Sequence, residues 1–203
     1  MTHSKSFCIT LNLIYLSLGL VGCENQNKKI GEPIIHAVGI ETNIMQYHAT
    51  EQHSTNWCWA ASAQMALSTQ GLMLPQEQIV RTLFGRLIDV PGGVPQFLQL
   101  RGKYKTNRGV FSVSCVHKKG PPSFKTLINN LKSNRPVILA LSNPGLDIGH
   151  AVIATAVIYQ DASEESQIIK VIVRDPSPGQ NKRELSATDF SSVMYHVIYH
   201  VNM

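Results

Sequence analysis

Charged residues are scarce in this chain, 15% of the total against 43% apolar, and among its 203 residues cysteines number four and tryptophans two. So little charge over so much apolar content excludes a disordered chain and leaves a globular one, long enough for a single domain with its own core. The net charge of +5 comes from scattered Lys and Arg. No basic run is longer than Lys28-Lys29 or Lys118-Lys119, short of the clustering with interleaved aromatics that a nucleic-acid footprint shows, so no nucleic-acid partner is expected. No two cysteines have CxxC spacing, and His48, His53 and Cys58, spaced at five, fit no compact zinc pattern. No metal or other cofactor is expected. Apolar stretches are short too: the mostly apolar one from Phe7 to Val21 has 15 residues, fewer than the ~20 that cross a bilayer as a helix.

That short run has a recognisable setting. Lys5 precedes it, and Leu20-Val21-Gly22-Cys23 closes it with small residues before a cysteine, the layout of a secretory signal. The closing residues resemble a bacterial lipobox. The resemblance implies cleavage after Gly22 and lipid attachment at Cys23. Residues 1–22 are then a signal peptide, 23–33 a polar tether and 34–203 one domain, monomeric and held by acyl chains at a membrane outside the cytoplasm, on the periplasmic face or the cell surface. Cys8 leaves with the signal and Cys23 is acylated, so Cys58 and Cys115 remain. Cys115 lies in the strand-like run Val110–Val116, where a cysteine serves as a small core residue.

Cys58 has different neighbours. In Gln52-His53-Ser54-Thr55-Asn56-Trp57-Cys58-Trp59-Ala60-Ala61-Ser62 it stands between two tryptophans at the start of a run of small residues. The run reads as a helix from about Trp57 to Thr69, ending at Gly71 in a left-handed cap. Alanines on more than one face let other elements come close, as a central buried helix requires. A thiol at a helix N-terminus is favoured as thiolate by the dipole and by unpaired N–H groups. Cys58 therefore reads as a nucleophile, and Gln52, six residues upstream, offers a side-chain amide to an oxyanion. Trp57 and Trp59 read as wall and core residues around the thiol.

This string resembles the nucleophile segment of papain-like cysteine peptidases, most closely a compact bacterial branch that includes avirulence-type secreted effector proteases. The resemblance implies an α+β fold: a helical N-terminal half with a central catalytic helix, packed on a C-terminal antiparallel sheet or half-barrel. It also implies a histidine at a strand start and an Asp or Asn beyond it, with a peptide or protein as substrate.

The rest of the chain supplies these parts. One strand is expected within Ile34–Tyr47, helices over Pro75–Leu87, Val94–Leu100 and Ser123–Ser133, and strands over Val110–Val116, Val137–Leu141, Gly149–Tyr159, Ile168–Arg174 and Val193–Val201. Gly149–Tyr159 and Ile168–Arg174 read as an antiparallel hairpin. With its turn near 162–163, paired positions sum to about 325 and Asp175 falls opposite His150. Asp175 can then fix the tautomer of a His150 that exchanges the Cys58 proton, with Asp147 or Asn143 as substitutes for it. His36, His48, His196 and His200 read as structural or surface groups. Competing readings keep parts of this site: a transglutaminase-like acyl transferase, a cell-wall peptide hydrolase, or a non-catalytic binding lipoprotein on a papain-like scaffold.

Overall fold

A computed structural model describes residues 33–142, 149–161 and 166–203. The signal-type segment, Cys23, the tether up to residue 32, and the substitutes Asn143 and Asp147 lie outside the described residues. The chain opens with β1 (Ile35–Gly39) and four helices, α1 (Thr42–His48), α2 (Cys58–Ser68), α3 (Gln76–Phe84) and α4 (Val94–Gln99). It continues through β2 (Gly102–Thr106), β3 (Gly109–Lys119), α5 (Phe124–Lys132), β4 (Val137–Leu141), β5 (His150–Gln160), β6 (Gln167–Asp175), β7 (Asn181–Ser186), α6 (Ala187–Ser191) and β8 (Tyr195–Asn202). This is the expected α+β division, helical first and sheet-rich after.

The strands of the described residues belong to one antiparallel sheet, ordered β2-β3-β8-β4-β5-β6-β7. β1 pairs with the far half of β5, residues 156–160, beyond the stretch that β4 occupies. The buried strands are those the apolar runs foretold. Val137, Ile138, Leu139, Val152, Ile153, Val157, Val171 and Val173 are buried, and each large aliphatic contributes roughly 1.5–3 kcal/mol by leaving water.

Helix α2 is the hub. Ala60, Ala61, Ala63, Ala66, Trp59, Met65 and Leu67 have no exposed surface, because its small residues let β5, β4, β8 and α3 close in on it. Ser62 fastens it: its hydroxyl donates to the Ala151 carbonyl at 3.0 Å. The helix stops at Ser68 with Gly71 left-handed (φ 93°), which lets Leu72 N–H return to the Leu67 carbonyl at 3.1 Å. The cap forms as the glycine predicted.

Elsewhere the structure extends or corrects the sequence reading. The Ile34–Tyr47 stretch holds a strand only to Gly39, and α1 follows it. α3 ends three residues before Leu87, because Gly85 turns left-handed (φ 70°). β2, β7 and α6 had no sequence signal. In β2 Tyr104 and Thr106 are half-buried and no residue is buried, and in β7 only Leu185 is buried, so neither carries an apolar alternation to read.

Candidate active site

Three segments meet at the edge of α2. Cys58 is the first residue of α2 and follows Trp57, whose side chain makes no cap. The N–H groups of this first turn have no intrahelical acceptor. Both tryptophans are buried, and both fix the neighbouring segment. Trp57 Nε1 donates to the Ile88 carbonyl at 2.9 Å, and Trp59 Nε1 to the Val90 carbonyl at 3.2 Å. Gly92 then comes up against Trp59, where a Cβ on it would sit 2.4 Å from the indole. Only glycine fits there.

His150 begins β5, one residue before the carbonyl that Ser62 holds. Its Nε2 meets Asp175 Oδ1 at 2.7 Å, which leaves the other ring nitrogen, Nδ1, free for Cys58, a neighbour close enough to raise the imidazole. The β5–β6 register differs from the expected one by two: Ile153 faces Arg174, so pairs sum to 327. A shift of two keeps every side chain on its face, whereas a shift of one would have turned His150 away from Asp175. Asp175 is therefore a diagonal neighbour of His150, within reach of a ring.

Asp175 is fully enclosed, with no side-chain exposure. It is also fully satisfied. Oδ1 accepts from His150 and from the Ser177 N–H at 2.9 Å, and Oδ2 accepts from the Arg183 guanidinium. Burial alone would push the carboxyl up, but His150, the Ser177 N–H and Arg183 together hold it well below the usual carboxylate range. Burial likewise works against a charged His150. The hydrogen bond to the Asp175 carboxylate, with the neighbouring Cys58 and the charge of Asp175, outweighs it and raises the imidazole to about 9. A positively charged imidazole is a group that favours the thiolate form of a neighbouring cysteine.

Gln52 sits on the loop before α2, which is laced to the turn after Asp175. Gln52 N–H donates to the Pro176 carbonyl at 2.7 Å, and Glu51 accepts from the Gly179 N–H at 2.9 Å. The Gln52 side-chain amide is engaged locally, donating to the Ser54 and Thr55 carbonyls at 3.0 and 2.6 Å. Both of its protons are thereby used. Space opens on either side of the imidazole: a cavity of about 450 Å³ bordered by Ser142, His150, Ser177, Gln180 and Arg183, and one of about 250 Å³ bordered by Gly92, Gly93, His150, Met194 and Tyr195.

Sequence reasoning had Cys58, His150, Asp175 and Gln52, and the structure brings the first three into contact. It missed Arg183, Ser177 and Ser62. Ser177 was foreshadowed only by the Asp-Pro-Ser turn, and Arg183 by nothing, because β7 itself was not visible. Cys115 lies away from this site on β3, half-buried, its thiol pushed up to about 11 by burial. Among the described residues, no three His, Cys, Asp or Glu are grouped to hold a metal.

A cysteine, a histidine and a buried carboxylate gathered in this way are the groups that a cysteine-dependent hydrolase uses. The chain belongs to the Peptidase_C39 like family, whose sequence model matches residues 44–203, which makes it a cysteine peptidase in general terms. Among solved structures it is similar to the peptidase domain of Streptococcus ComA, described as a bi-functional ABC transporter involved in a quorum-sensing pathway. That likeness has 15% identity, covers 74% of this chain and 95% of that one, and has a TM-score of 0.49. No curated protein matches the chain significantly.

Proposed function

We propose that this protein cleaves peptide bonds through an acyl-enzyme on Cys58. What supports the reading most is His150, half-buried and raised to about 9 between Cys58 and the enclosed Asp175. Cys58 gives its proton to His150 Nδ1, and its thiolate attacks the scissile carbonyl carbon. The Cys58 backbone N–H and the Gln52 amide, turned from the Ser54 and Thr55 carbonyls, receive the oxyanion. As the C–N bond breaks, imidazolium gives its proton to the leaving amine. Water, deprotonated by the neutral imidazole, then attacks the thioester and frees Cys58. Asp175 accepts from Nε2–H throughout and keeps the tautomer that points Nδ1 at sulfur.

The narrower likeness to avirulence-type effector proteases rests on the Gln52–Ser62 string alone. We also propose the lipoprotein arrangement, with cleavage after Gly22 and acylation of Cys23, which places the domain outside the cytoplasm. Both halves are testable. Residues 24–203 are treated with a thiol electrophile across pH, and the labelled cysteine is located by mass spectrometry in wild type and His150→Ala. Rapid, histidine-dependent labelling of Cys58 near pH 6, with Cys115 slow, is expected. Slow, equal labelling of both thiols overturns the reading. Mass spectrometry of the full chain from a bacterial membrane fraction tests the anchor, which fails if Cys23 carries no lipid.

A further inference from the structure

The modest net charge hides a strong asymmetry. Residues 90–142 hold nine of the eighteen Lys and Arg and none of the thirteen Asp and Glu. The remaining chain has nine cations against thirteen acids, a net −4. The fold gathers several of these cations on one surface. Tyr199 donates its hydroxyl to the Phe97 carbonyl of α4 at 2.8 Å, and it is in register with Cys115, so Phe111, Val113 and Cys115 face the helices. The alternate residues face the other way. Lys103 pairs with Ser112, Lys105 with Val110, and Ser114 and Lys118 with His200 and His196 of β8.

This outward face of β2 and β3 is open. Lys103, Lys105, Val110, Ser112, Ser114, Val116 and Lys118 are all exposed, as is Arg108 at the hairpin tip. α5, which packs on β1, β4 and β5, contains no acid, and neither do β2, β3, β8 and α4. Among the described residues none of these lysines or Arg108 enters an ion pair. Two valines stand among the cations, exposed to 51% and 39%. No aromatic projects from the exposed positions of these strands, so the stacking platform that single-stranded nucleic acid needs is missing.

We propose that the outer face of the β2–β3 hairpin is a docking surface for an anionic lipid bilayer. Lys103, Lys105, Arg108 and Lys118 meet lipid phosphates, and Val110 and Val116 lie at the headgroup boundary. Cations near an anionic membrane each add attraction that decays within a Debye length, and aliphatic side chains among them add burial in the interface. The surface does not depend on acylation at Cys23. It presents the opposite side of the sheet from α2, so docking leaves the Cys58 site uncovered.

The test uses residues 33–203, whose core is drawn entirely from positions 40–199 and therefore lies within the fragment. Sedimentation is measured with phosphatidylcholine vesicles alone and with vesicles containing phosphatidylglycerol. Binding only to the anionic vesicles, weakened by salt, is expected. K103Q/K105Q/K118Q should reduce partitioning roughly a hundredfold, at about fivefold per cation removed, with an unchanged melting curve. K170Q/K182Q, on β6 and β7, serves as the control and should bind as wild type does. Equal binding to neutral vesicles, an unaffected triple variant, an equally weakened control, or tighter salt-sensitive binding to an oligonucleotide than to the anionic vesicles overturns the proposal.

Discussion

Two thiols in one fold show how position decides chemistry. Cys115 sits mid-strand on β3, where burial raises it to about 11 and leaves it a small apolar filler. Cys58 starts a helix, where backbone N–H groups are unpaired, and touches an imidazole that a buried carboxylate keeps charged. Neither is disulfide-bonded. The difference therefore lies in the partners rather than the sulfur, and removing those partners should make Cys58 behave like Cys115.

The largest effect should come from removing Cys58 itself. Cys58→Ala is expected to abolish peptide hydrolysis, a loss on the order of 10⁴-fold or more. Cys115→Ala should keep wild-type turnover and lose only roughly 1 kcal/mol of stability. Turnover and urea titration on both variants check the contrast, and a strong loss in Cys115→Ala would break it. Gln52→Ala comes next, with a fall of about 10²–10³ in kcat and an unchanged melt. Full activity would show that the amide stays on the Ser54 and Thr55 carbonyls.

Arg183 gives a subtler way to sharpen the comparison. Arg183→Gln removes a charge-assisted bond from an enclosed carboxylate and should lower turnover roughly tenfold. It also removes a positive charge near imidazolium, so His150 should titrate above 9 and the alkaline limit of hydrolysis should move up. A variant that loses activity without moving that limit would make Arg183 a merely structural group. In the wild type, hydrolysis should fall as pH passes about 9, because imidazolium must protonate the leaving amine. Alkylation of Cys58 should not fall there, since attack by sulfur on an electrophile needs no imidazolium to protonate an amine. Parallel pH profiles of the two reactions test this split.

The smallest effect is on stability. His150 is raised above its unfolded value of about 6.5, so its contribution is complete below that pH and disappears as pH rises through about 9. Asp175 is depressed, so its contribution is present above its unfolded value of about 3.9 and disappears as pH falls through the folded one. The pair should therefore support the fold most between about 4 and 6.5. Melting temperatures across pH should show a flatter curve for Asp175→Asn than for wild type.

Much of this was legible in the sequence because it is written in local patterns. A small-residue helix starting at Cys58, the continuous apolar β4 and the β5–β6 hairpin need no distant information. The hairpin register came out two residues off because the pair nearest the turn, Gln160 with Gln167, already sums to 327, and the irregularities between Ala154 and Ala156 and between Ile158 and Tyr159 offset each other. The contact survived because two is the period of a strand. Arg183 and β7 were not legible, since an edge strand with one buried leucine has almost no apolar signal. The cationic face was missed for another reason. Its lysines are spaced along two strands and become neighbours only when the hairpin folds.

The fit of Gly92 against Trp59 has a bearing on redesign. A library meant to reshape the cleft should leave position 92 alone, since any side chain there would drive the indole into the first turn of α2 and move the sulfur along with it. Position 93 is a different matter. Its backbone is extended (φ −144°), and a Cβ there would lie 3.7 Å from the Tyr195 hydroxyl, an ordinary contact. Two adjacent glycines thus separate into a fixed hinge-pin and an adjustable stop, and only the second can be used to narrow what the enzyme admits.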